Sequence, residues 1–117
     1  DLSNVHIALV DDNKVNLRIE AALLKDFKVK IETFVSGEAI LKAYKYGRKY
    51  DIIFMDIQMP LMNGYEAAAA IRNLDDNVKA ATPIIAMTAN AFAEDVILAK
   101  NAAIDINKLN DILKKWL

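Results

Sequence analysis

Apolar residues in this chain fall into two kinds of pattern, and their alternation sets the expected fold. Val5 to Val10 is a short, nearly continuous apolar run, and so is Ile52 to Met55. Runs of this length fit strands buried on both faces of a parallel sheet. Val29 to Val35 reads as a third strand, with Val29, Ile31 and Thr33 alternating against Lys30, Glu32 and Phe34. Pro83 opens a fourth, Ile84 to Met87. Between them lie helical spacings. Asn13 to Phe27 places Val15, Ile19, Ala22 and Leu23 on one expected inner face. Ser36 is a good N-cap for a helix carrying Ala39, Ile40, Ala43 and Tyr44, which Gly47 ends. Asn63-Gly64 is a turn signal before an alanine-rich helix over Tyr65 to Leu74, and Asp75 to Thr82 reads as a polar loop. Asn90 caps a further helix with Phe92, Val96, Ala99 and Ala103 inward. The last helix, Asn107 to Leu117, aligns Leu109, Ile112, Leu113, Trp116 and Leu117, with Trp116 as a core anchor.

Strand and helix alternate, which predicts an α/β domain with a parallel sheet and helices on both faces. Each apolar run stops at a polar residue. The first ends in Asp11-Asp12, the second in Asp56, and the fourth in Thr88. Met59-Pro60 follows Asp56, and Pro60 cannot extend a strand. Open α/β sheets place their chemistry at the carboxyl ends of strands, so these residues should converge at one edge. His6 lies inside the first strand and is read as packing.

Composition narrows the class without choosing the function. The 117 residues suffice for a single domain over 1–117, 55% hydrophobic and 26% charged. The net charge of −1 gives no bulk sign of nucleic-acid binding. The chain has no cysteine, which removes disulfides, thiolate metal sites and a cysteine nucleophile, and suits a cytoplasmic location. No basic leader segment opens the chain, and no apolar run approaches the ~18 residues of a membrane span. Glycine is scarce, at three residues.

Three converging carboxylates repel one another, and a divalent cation offsets that repulsion. All-oxygen ligands suit Mg2+ or Mn2+. A bound cation neutralises an incoming phosphoryl group and leaves one carboxylate free to attack phosphorus. The Thr88 hydroxyl would meet a phosphoryl oxygen. A lysine or arginine normally completes such a site.

Val10-Asp11-Asp12-Asn13, the stretch Asp51 to Gly64, and Pro83-Ile84-Ile85-Ala86-Met87-Thr88-Ala89 together resemble the receiver domain of two-component response regulators. The resemblance runs from about Val5 to Ala103 and resumes in the last helix. The phrase Met87-Thr88-Ala89-Asn90-Ala91-Phe92 is similar to receivers attached to hybrid sensor kinases. The resemblance implies a flavodoxin-like, doubly wound parallel sheet and phosphorylation of Asp56 by a phosphohistidine of a histidine kinase or histidine phosphotransfer domain. It implies Mg2+ held by Asp12, Asp56 and the Gln58 backbone carbonyl with Asp11 assisting, and Thr88 as the switch hydroxyl. Such a module is not an enzyme beyond self-catalysed aspartyl phosphorylation and dephosphorylation. Neither nucleic acid nor membrane is an expected partner.

The chain departs from that family near its end. The family carries a fifth strand closed by a Lys-Pro pair, with a glycine before it and an aromatic switch residue within it. No Lys-Pro pair occurs here, and Ala103 joins Ile104-Asp105-Ile106 almost directly to the last helix, which Asp105 caps. Two expectations compete: either residues between about Ala102 and Asp105 are missing from this sequence, or the sheet lacks its fifth strand. Lys100 and Lys108 belong to helices and are not assigned to the site. Other readings remain: a degenerate receiver that only binds partners, a flavodoxin-like cofactor binder disfavoured by Asp11-Asp12, and a haloacid-dehalogenase-type phosphohydrolase. That last class would want an aspartate where Gln58 stands.

Overall fold

The structure, a computed structural model, describes residues 4–86 and the backbone of Asp105 and Ile106. Its elements are β1 (His6–Val10), α1 (Lys14–Leu24) continued by a 3-10 turn (Lys25–Phe27), β2 (Lys30–Phe34), α2 (Gly37–Lys45), β3 (Ile52–Met55), α3 (Gly64–Arg72), a short α4 (Asn77–Ala80), β4 (Ile84–Ala86) and β5 (Asp105–Ile106). The strands form one parallel sheet in the order β2-β1-β3-β4-β5, so the strand leading to Asp56 is central. This is the expected doubly wound arrangement.

Alternate residues of each strand serve opposite faces, as the pleat requires. Ala8, Val10, Ile53, Met55, Ile84 and Ala86 pack with Ile40 and Tyr44 of α2 and Ala67, Ala68 and Ile71 of α3. Ile7, Leu9, Ile52, Phe54 and Ile85 pack with Leu17 and Leu24 of α1. The four residues of β3 are all buried, which explains why that run shows no alternation. Gly37 lets α2 approach α3 closely, since a Cβ there would stand 2.9 Å from the Ala67 Cβ. Ser36 caps α2 by accepting from the Ala39 N–H, and Gly47 follows that helix at φ +90.

Three expectations are corrected. First, α1 is turned the other way. Val15, Ile19 and Leu23 are 60%, 54% and 67% exposed, and Ala22 is exposed as well. The helix carries two overlapping apolar stripes, and the one bearing Leu17, Ala21 and Leu24 fits the sheet surface. Second, the expected polar loop Asp75 to Thr82 contains α4. The Asp76 carboxylate accepts from the Lys79 N–H, and Arg72 donates to the carbonyls of Ala80 and Thr82 at 2.8 and 2.6 Å.

Third, a fifth strand exists. Asp105 pairs with Ile85 and Ile106 with Ala86, so Asp105 begins β5 rather than capping a helix. An unpaired edge of β4 needs only two residues with free backbone groups to extend the ladder. A segment so short carries no periodicity. The helices expected after Thr88 and over Asn107 to Leu117, Trp116 included, lie outside the described residues.

Candidate metal and phosphoryl site

The carboxyl ends of β1 and β3 are locked side by side. The Asp11 N–H donates to the Phe34 carbonyl at 3.0 Å, and the Asp56 N–H donates to the Val10 carbonyl at 2.8 Å. The sheet ladder therefore runs right up to both aspartates. Asp11 is buried at 3% exposure, and its Oδ1 accepts from the Asn13 N–H at 2.9 Å. Asn13 in turn caps α1, its Oδ1 accepting from the N–H groups of Val15 and Asn16. Asp12 is exposed and Asp56 is half-buried. One carboxylate oxygen from each of Asp11, Asp12 and Asp56 lies within 4.8 Å of the others. The convergence expected from the strand ends is present for these residues. Thr88 lies outside the described residues.

Electrostatics within this group are unfavourable as it stands. Burial, and then the charge of Asp11, push the Asp56 carboxyl up to about 6. The Gln58 N–H donates to its Oδ1 at 3.2 Å and opposes that rise, while Asp12 adds to it. Carboxylates this crowded favour a compensating cation, and the all-oxygen set fits Mg2+ or Mn2+. Gln58 has an exposed side chain and meets the site through its backbone.

The loop after Asp56 is fastened underneath. Ile57 and Met59 are buried, and the Gly64 N–H donates to the Ile57 carbonyl at 2.9 Å. Asn63 and Glu66 form a reciprocal capping box at the start of α3. Leu61, by contrast, is 94% exposed at φ +67. His6 sits at the other end of β1. Its ring meets Tyr50 edge-on at 4.9 Å, and its Nε2 lies 3.5 Å from Glu32, which also pairs with Arg48 at 2.9 Å. That position agrees with packing rather than chemistry.

Glu20, on α1, was not singled out from the sequence. Burial, and then the charges of Asp11 and Asp56, push its carboxyl up to about 7. Its spacing from Leu17 and Leu24 is the signal that finds it, once the inward stripe of α1 is known.

A doubly wound α/β domain with carboxylates at the central switch of its sheet defines the class. Within that class, the family model for the response regulator receiver domain matches residues 7–115, and the chain belongs to that family, the receivers of two-component signalling. The chain is 34% identical over 121 aligned positions to hybrid signal transduction histidine kinase L of Dictyostelium discoideum, covering 94% of this chain and 7% of that protein. An alignment longer than the 117 residues of this chain means that the relative carries residues without counterpart here. Among solved structures, the receiver domain of the histidine kinase CKI1 from Arabidopsis thaliana, complexed with Mg2+, is 27% identical at a TM-score of 0.81, covering 100% of this chain and 97% of that one. The receiver domain of Ssk1, crystallised with the histidine phosphotransfer protein Ypd1 of Saccharomyces cerevisiae, is 26% identical at a TM-score of 0.77, covering 91% and 79%. Among the described residues, no helix is long and apolar enough to cross a membrane.

Proposed function

We propose that this domain accepts a phosphoryl group from a phosphohistidine onto Asp56 and changes its partner contacts in response. The observation that carries this reading is the grouping of Asp11, Asp12 and Asp56 within 4.8 Å at the carboxyl edge of the sheet. Asp12, Asp56 and the Gln58 backbone carbonyl would hold Mg2+, with Asp11 assisting. When bound, the cation supplies charge neutralisation for the phosphoryl oxygens. An Asp56 Oδ attacks phosphorus, the P–N bond breaks, and its electron pair returns to the imidazole of the donor. Asp11 stays fixed by the Asn13 N–H throughout. Thr88 is assigned the switch hydroxyl.

The donor is a histidine phosphotransfer domain or a histidine kinase. The exposed stripe of Val15, Ile19 and Leu23 begins three residues after Asp12, and exposed Leu61 lies five residues after Asp56. These residues offer exposed apolar side chains, on the segments that follow Asp12 and Asp56, to a helical partner. Cytoplasmic location is part of the same proposal.

Incubation with acetyl phosphate and Mg2+, followed by intact mass, tests it. The expected result is one added phosphoryl group in wild type and none in Asp56→Asn. Equal labelling of both would remove Asp56 from the role. The second reading, a module that binds partners without phosphorylation, draws on the lack of a Lys-Pro pair in the sequence. It predicts no labelling of wild type.

A further inference from the structure

Charge is sorted between the two poles of this sheet. Parallel strands all start at one edge and finish at the other. Asp11, Asp12 and Asp56 gather at the finishing edge. At the starting edge two basic segments meet. One is the end of α2 with the loop after it, where Lys42, Lys45, Arg48 and Lys49 are exposed and no acidic residue intervenes. The other is the turn into β2, with Lys25, Lys28 and Lys30 exposed. Backbone bonds tie both segments to the amino end of β1. The Asp51 N–H donates to the His6 carbonyl at 2.8 Å, and the Lys30 N–H donates to the Val5 carbonyl at 2.9 Å. Arg48 of the first segment also reaches Glu32 of β2 at 2.9 Å. Lys30 and Glu32 are two residues apart, so their side chains leave the same face of that strand.

The carboxylates at this pole are mostly engaged. Glu32 holds Arg48 and lies 3.5 Å from the His6 Nε2, and the Asp51 carboxylate accepts from the His6 N–H at 2.8 Å. Asp26 lies next to Lys25 in the chain. Among the described residues no ion pair takes up the lysines of either segment. The negative end of α2 favours Lys42 and Lys45. It accounts for neither Lys49 nor the lysines of the turn. Tyr46 stands among these cations at 78% exposure, whereas Tyr44 and Tyr50 are buried. It therefore adds little to the core. The net charge of −1 conceals this surface, because it averages a basic pole against an acidic one.

We propose that the amino pole of the sheet is an electrostatic interface for an anionic lipid bilayer, with Tyr46 at the level of the headgroups. Clusters of lysine and arginine are drawn to such surfaces, and tyrosine suits their boundary between apolar and wet. The choice of cation favours this partner over an acidic peptide or a nucleic acid. Arginine serves where single carboxylates or phosphates are held in fixed geometry, whereas lysine is a flexible point charge. Only Arg48 is an arginine here, and Glu32 already occupies it. Single-stranded nucleic acid would want several stacking aromatics. Docking by this pole also leaves Asp56, at the opposite edge, open to solution.

The test is cosedimentation with vesicles of phosphatidylcholine alone and of phosphatidylcholine mixed with phosphatidylserine, at about 0.1 M and about 0.5 M KCl. Wild type is expected to bind the mixed vesicles at the lower salt, and neither the neutral vesicles nor the mixed ones at the higher. Lys45→Gln/Lys49→Gln should weaken binding roughly tenfold or more, since each cation near an anionic surface contributes a factor of about five. Lys25→Gln/Lys30→Gln, on the other segment, should do the same independently. Lys14→Gln/Arg18→Gln removes as much charge from exposed positions on α1 and should leave binding unchanged. Tyr46→Ala should weaken binding to the mixed vesicles as well. No binding by wild type, or equal losses in the α1 pair and the amino-pole pairs, would overturn the inference. So would tighter binding to poly-glutamate or to a single-stranded oligonucleotide at the same salt, which would give this surface to a different partner.

Discussion

Asp56 and Gly64 are packed backbone against backbone: a Cβ at Gly64 would collide with the Asp56 carbonyl oxygen and stand 2.8 Å from the Ile57 Cα. Neither obstacle is a flexible side-chain end, so the chain bearing the acceptor would have to move. Gly64→Ala is therefore expected to cost about 1–3 kcal/mol of stability, as overpacking does. It should also slow labelling by acetyl phosphate. Asn63→Ala is the control, since it loses the capping box next door at a cost of about 1 kcal/mol without adding an atom near Asp56. Melting and labelling measured on both variants should show labelling impaired in Gly64→Ala alone.

Stability of the metal-free domain should fall as pH rises from about 4 to about 7. Asp56 is raised from 3.8 to about 6 and Glu20 from 4.5 to about 7, so between those values the folded state holds more protons than the unfolded one. Stability then decreases with pH. Both groups are partly exposed, and solvent screening reduces the size of the effect. Mg2+ should flatten the decline. Melting temperatures across that range, in chelator and in Mg2+, measure both slopes.

Removing Asp12 should have opposite effects on the empty and the loaded domain. Asp12 is one of the groups that push the Asp56 carboxyl upward. Asp12→Ala is expected to raise the melting temperature in chelator while weakening Mg2+ binding more than loss of Asp11 does. Calorimetry and melting on the same sample decide this. Affinity equal to wild type would remove Asp12 from the ligand set.

The outward stripe of α1 should matter to a partner and hardly at all to folding. Ile19 is 54% exposed, so Ile19→Ser should change stability by no more than about 0.5 kcal/mol. Phosphotransfer from a phosphorylated histidine phosphotransfer protein should slow, while labelling by acetyl phosphate should not. Leu17→Ala, on the buried side, should instead cost about 2–5 kcal/mol. Stopped transfer assays and urea melts separate the two.

The sequence by itself determined the first four strands, their order of appearance and the pole at which chemistry gathers. A buried parallel strand must be apolar on both faces, so the charge that ends it marks a boundary that any reader of Ile52 to Asp56 can see. Ser36 and Gly47 were legible for the same reason: a helix end needs a side-chain acceptor before it or a left-handed residue after it, and few residue types supply either. Only the tertiary structure decided which face of α1 turns inward. Val15, Ile19 and Leu23 match helical spacing as well as Leu17 and Leu24 do, and the choice depends on the shape of Ile7, Leu9 and Phe54 beneath. Pairing of Asp105 and Ile106 with β4 is likewise a property of the neighbour, because a two-residue strand is specified by the open backbone edge that receives it.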